Sequence, residues 1–162
     1  MNKVYLLLII TFTLWQTLNA QERYVDEVFT DAQISVTENV KYRRNFSILP
    51  ALFGQAPAPT DLVMDIYAPD GAFDTETNRP VTMVLHGGSF LPAYINNSCW
   101  GYKEDVLTVL TAKKLARLGY VVAVPSFRLG WNPLATTPNE FLSQLSDATI
   151  RIMIDMRTAA RY

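Results

Sequence analysis

The chain has 162 residues, of which 49% are hydrophobic and 12% aromatic, which is enough for one domain with a sizeable core. Fourteen Lys and Arg stand against 15 Asp and Glu, for a formal charge of −1. The two signs are mixed and no basic run occurs, which argues against nucleic acid as a partner.

The first element is a processing signal. Met1-Asn2-Lys3 is a short positive start, residues 4–15 are mostly apolar, and Asn19-Ala20 offers a small residue for cleavage. The apolar stretch falls short of the roughly 20 residues of a membrane span, so no stable span is expected. Residues 1–20 are expected to be a signal peptide, with an uncleaved anchor as the alternative. Residues 21–162 are then one exported domain, secreted or periplasmic. No Cys sits at the cleavage point, which argues against a lipoprotein. Cys99 is the only cysteine, so it is a free thiol or pairs outside the chain.

Residues 32–42 alternate in part and carry β-branched side chains, which predicts a strand or hairpin. Residues 50–60 hold three prolines and a glycine and read as a loop. Residues 61–67 alternate, with Leu62, Met64 and Ile66 on one face, and predict a half-buried strand. A polar turn with Pro69-Asp70-Gly71 follows. Residues 81–85 are continuously apolar apart from Thr82 and read as a parallel strand buried on both faces. A long loop carrying Tyr94, Asn96, Cys99 and Trp100 runs to about residue 101. It serves either as a substrate wall or as surface packing. A helix is expected from about Lys103 to Leu118, ended by Gly119. Residues 120–124 predict a second fully buried strand. Thr137-Pro138-Asn139-Glu140 matches a capping box, and Leu142, Leu145, Thr149, Ile152, Met156 and Ala159 then repeat at helical spacing.

The densest chemical signal is His86-Gly87-Gly88-Ser89-Phe90, placed where strand 81–85 ends. Two adjacent glycines remove the Cβ atoms that block close approach and permit positive φ. Backbone N–H groups exposed at the carboxyl end of a parallel strand are where α/β proteins bind ligands.

Four segments, in order, resemble the N-terminal half of α/β-hydrolase-fold carboxylesterases, including the type-B and hormone-sensitive-lipase-like groups. They are Asp65-Ile-Tyr-Ala-Pro69, residues 80–90, residues 118–130 and residues 147–162. Together they cover about residues 35–162. The resemblance implies an α/β fold: part of an α/β-hydrolase, with a mostly parallel sheet flanked by helices and the C-terminal strands lacking. Its strand order, 1-2-4-3-5-6-7-8, puts strand 81–85 between strand 120–124 and a strand expected after Tyr162. It implies an exported serine carboxylic-ester hydrolase acting on a small-molecule or polymeric ester. The N–H groups of Gly88 and Ser89 would form the oxyanion hole, with Gly87 supporting the tight turn and His86 anchoring the loop. No G-x-S-x-G occurs, so the Ser, acid and His of the triad are expected downstream and no catalytic residue lies in this chain. On that expectation the 162 residues alone are inactive. Ser126 and Arg128 read as structural. The alternative is a non-catalytic exported half-fold that acts as a binding module. No metal and no cofactor are implied: there is no His/Cys cluster and no Gly-rich phosphate loop with a lysine. Oligomeric state is left open.

Overall fold

The computed structural model describes residues 23–97, 99–132 and 135–162. The expected signal peptide lies outside the described residues. Strands β1 (Ile34–Ser47), β2 (Ala58–Pro69), β3 (Val81–Met83) and β4 (Val121–Pro125) form one sheet in the order β1-β2-β4-β3. Its helices are α1 (Ala93–Asn96), α2 (Val106–Arg117) and α3 (Pro138–Ala159). Among the described residues, no helix is long and apolar enough to cross a membrane.

The sheet is mixed, which corrects the expectation of a mostly parallel one. Strand β2 runs antiparallel to both β1 and β4, and only β3 and β4 are parallel. The connections explain this. A parallel pair needs a long crossover, and α2 provides one between β3 and β4. The link between β1 and β2 is short, so the chain turns straight back on itself. Three strands therefore run one way and β2 alone opposes them.

Helices cover both faces. Ala112 and Ala116 of α2 pack without exposure against Tyr67, Val122 and Val124. Ala159 of α3 lies on the opposite face with Tyr42, Leu62, Met64 and Ala123. Side chains alternate across a strand, so neighbouring residues of β4 serve different helices. This double cover also corrects the reading of β2 as half-buried, because Asp65 and Tyr67 are buried on the face opposite Leu62 and Met64.

Segment 50–60, expected as loop, is a 3-10 turn over Leu49–Phe53 followed by the first residues of β2. Pro59 is tolerated there because β4 reaches only Met64–Tyr67, leaving residue 59 with β1 on one side only. Helix α2 begins at Val106 rather than near Lys103. The Asp105 carboxylate accepts from the N–H groups of Gly101 (2.8 Å) and Tyr102 (3.2 Å), closing a turn ahead of the helix. At α3, the Thr137 hydroxyl accepts from the Glu140 N–H at 3.2 Å, a cap worth about 1 kcal/mol. The reciprocal half of the box shifts by one residue: Glu140 accepts from the N–H of Thr136, at 3.3 Å.

The two edges of the sheet differ. The β1 edge carries two register shifts and the exposed cations Lys41 and Arg44, both paired with Asp61. Such bulges and charges blunt an edge against further pairing. The β3 edge has neither. Val81 is 72% exposed and Leu85 46% exposed, and Val106, Leu107 and Leu110 of α2 are exposed as well. Among the described residues β3 pairs with β4 alone, as the implied strand order expects for these 162 residues, but the segment is not buried on both faces as expected, since Val81 and Leu85 are exposed.

Candidate functional site

The loop after β3 folds into a reverse turn. The N–H of Leu91 donates to the Gly88 carbonyl at 2.9 Å. The two residues between them, Ser89 (φ 53°) and Phe90 (φ 59°), are both left-handed. That is the φ pattern of a type I′ turn, which ordinarily takes Asn or Gly. Gly88 itself has φ 108°. The unusual backbone therefore lies at residues 88–90, one residue later than a tight turn centred on Gly87 would put it.

Two left-handed side-chain-bearing residues in a row persist only where the surroundings hold them. Here every carbonyl of the turn is held. Asn96 Nδ2 donates to Gly88 O (2.9 Å), Trp131 Nε1 to Ser89 O (2.9 Å) and the Gly130 N–H to Phe90 O (2.8 Å). Asn96 also reaches the carbonyls of Leu91 and Trp100, each at 3.0 Å, and so ties both ends of the 91–100 segment together. With the carbonyls turned into the protein, the opposite pole of the turn faces out. No described residue accepts a hydrogen bond from the N–H of Gly87, Gly88, Ser89 or Phe90. Successive free N–H groups in such a turn form a concavity of positive potential.

Close packing sets the position of the turn. A Cβ on Gly88 would lie 2.8 Å from the Cα of Gly101, and one on Gly101 would lie 2.8 Å from Ala93 N and Leu91 O. Glycine is required at both positions, and Gly101 is held in turn by Asp105.

His86 is 6% exposed, and its ring stacks on Phe127 with centroids 4.3 Å apart and planes 4° apart. Its Nδ1 lies 2.9 Å from the Gly87 carbonyl. A carbonyl only accepts, so Nδ1 carries the proton and Nε2 bears the lone pair. No described residue bonds Nε2, and the atom is not sealed from solvent. Burial holds the imidazole below its ordinary 6.5. An unfolded chain then takes up a proton near pH 6.5 that the folded chain refuses. Stability is expected to be level above about pH 7.5 and to fall as pH drops from there to about 5.5. Urea midpoints across that interval check this, with His86→Gln as the flat reference. A wild-type slope no steeper than the variant's would refute it.

Ser126 follows β4, but its hydroxyl is fully engaged. Oγ donates to Val63 O at 2.9 Å and accepts from the Val63 N–H at 3.1 Å. Its role is to staple β4 to β2 beyond their ladder. Ser126→Ala is expected to lower stability by about 1–2 kcal/mol, because it strands the Val63 N–H, while the Val63 carbonyl keeps the Ser126 N–H at 2.8 Å. A denaturation midpoint within error of wild type would contradict that. Arg128 is likewise structural, forking onto Asp155 through Nε (2.9 Å) and Nη2 (3.0 Å). Cys99 is exposed and forms no disulfide. Among the described residues, no group of three or more His, Cys, Asp or Glu is arranged to hold a metal.

Nothing in the sequence signalled that Asn96, read only as a residue of the long loop, or Gly101 and Asp105 hold the turn in place. Each acts on backbone atoms of a different segment, a contact that spacing along the chain does not encode. A buried ion pair was equally silent. Lys103 Nζ lies 2.7 Å from Asp65 Oδ2, with both side chains 6% exposed.

No family model matches this chain, and no curated protein matches it. Among solved structures it superposes on esterase B from Lactobacillus rhamnosis, seen with a tributyrin phosphonate, with a TM-score of 0.34 and 16% identity. The superposition is loose. It covers 98% of this chain and 42% of the esterase's.

Proposed function

We propose that residues 23–162 are the oxyanion-stabilising portion of an exported serine carboxylesterase of the α/β-hydrolase type. The observation that carries this reading is the turn at residues 88–90, with three carbonyls held inward and the N–H groups of Gly88 and Ser89 unclaimed. Donors fixed before the reaction cost no reorganisation as negative charge develops on a substrate oxygen, and removing one such donor slows catalysis by about 10²–10³. The strand order β1-β2-β4-β3 also agrees with the first four strands that the sequence resemblance implies. His86 serves as a loop anchor on this reading, because its Nδ1 is committed to Gly87.

The chain does not supply a triad. His86 is the sole histidine, and the Ser126 hydroxyl is bound to Val63. By itself it is expected to be inactive, and that favours one second reading, a half-fold that binds without hydrolysing. Reading the source DNA past codon 162 separates the two. The esterase reading expects G-x-S-x-G downstream, then an acid and a histidine. The protein expressed from that longer frame should cleave p-nitrophenyl acetate, and changing the serine of that downstream motif to alanine should abolish the cleavage. A stop with no such motif in any frame beyond it would overturn the esterase reading.

A further inference from the structure

A cleft of ≈ 240 Å³ opens between the β1–β2 side of the sheet and the turn ahead of α2, and the ring of His86 forms part of its wall. It shares no lining residue with the groove that Gly87 lines. We propose that this cleft is a binding site for a neutral polyol of monosaccharide size, recognised through His86, Glu104 and Asn39.

The charges select for neutrality. Lys103 Nζ sits between Asp65 Oδ2 (2.7 Å) and Glu104 Oε1 (2.8 Å). An anion meets two carboxylates, and a cation meets the ammonium at their centre. The unfilled valences select for hydroxyl groups. The imidazole is more than nine-tenths buried, yet Nε2 has a free lone pair and no described partner. Glu104 engages Lys103 through Oε1, which leaves Oε2 to accept. The side-chain amide of Asn39 bonds no described residue and offers both a donor and an acceptor. A ligand rich in O–H donors with some acceptor capacity answers all three. Val63, Phe127 and Leu129 supply the apolar floor such sites combine with a few polar groups.

The placement of Asn39 supports a site rather than a crevice. Asn39 is left-handed (φ 56°) and sits in the register shift between Thr37 and Val40. Its N–H donates to Asp65 Oδ1 at 2.8 Å, so Asp65 fixes both Asn39 and Lys103. Bulges of this kind commonly re-aim a side chain beside a functional site.

Because His86 is the only histidine, its imidazole nitrogens give unique signals. The ¹⁵N-labelled full chain would be titrated with D-xylose, D-glucose and glycerol, and separately with acetate and methylammonium, while the Nε2 resonance is followed. The proposal expects a saturable Nε2 shift from at least one of the three polyols and none from either ion. Glu104→Ala and Asn39→Gly should each weaken that binding on the order of tenfold. Both positions are exposed, and glycine keeps the left-handed φ at residue 39, so folding is retained. The absence of a saturable shift from all three polyols would overturn the proposal. So would a response confined to an ion, or equal binding by both variants.

Discussion

Replacing Asp155 with alanine is expected to cost about 3–5 kcal/mol, among the largest losses any single substitution in this chain produces. Asp155 has no exposure and sits on the sheet-facing side of α3. Its carboxylate accepts three donors from one residue: the N–H of Arg128 at 3.0 Å, Nε at 2.9 Å and Nη2 at 3.0 Å. The pair does more than offset two charges. It pins the segment after β4 to the helix that follows, and the same segment supplies Gly130 and Trp131 to the turn at 88–90. Removing the carboxylate leaves a nearly buried guanidinium without its counter-charge, whereas removing both partners does not. Arg128→Met with Asp155→Leu is therefore expected to recover most of the loss. Urea denaturation of the single and double variants checks this. A loss below about 1 kcal/mol for Asp155→Ala would show that water reaches the pair.

Gly88→Ala is the second large effect, expected to destabilise by about 2–4 kcal/mol. Two penalties combine. The backbone at φ 108° is one that alanine rarely adopts, and the new Cβ meets Gly101 Cα at 2.8 Å with Gly101 N and Leu91 O at 3.0 Å. All three are backbone atoms, so no flexible side chain can swing away. The relief available is to push the 100–102 segment outward, which breaks the Asp105 turn. A Cβ on Gly101 crowds the same crevice at Leu91 O, 2.8 Å away, so the two substitutions together should cost less than their sum. Additive losses in a double-mutant cycle would refute the shared crevice.

The sequence told most where an element is buried on both faces. Strand 121–125 was legible because Val122 and Val124 face one helix and Ala123 the other, and such a strand is apolar throughout. Strand 81–85 has the same composition, and its burial on both faces was misjudged for that reason, whereas its place beside β4 with the other side open followed from the implied strand order. Apolar composition does not distinguish a central strand from an uncovered edge. The sense of β2 was equally hidden, since antiparallel and parallel strands of one burial share one pattern. At the site, the glycine pair pointed to a close backbone approach, and Gly88 meets Gly101 across chain segments. The left-handed turn was not legible, because Ser89 and Phe90 are poor turn formers. What holds them is Asn96, Gly130 and Trp131 acting from elsewhere in the chain.

The contrast between the two edges of the sheet gives the molecule a direction of growth. An incoming extended strand meets bulges and the Lys41–Asp61–Arg44 cluster on one side. On the other it meets the short strand β3, which carries no charge and no register shift and is bordered by apolar helix residues. Among the described residues the sheet can therefore accept a further strand beside β3 and not beside β1, and β3 is the side on which the proposed reading places the next strand of the chain.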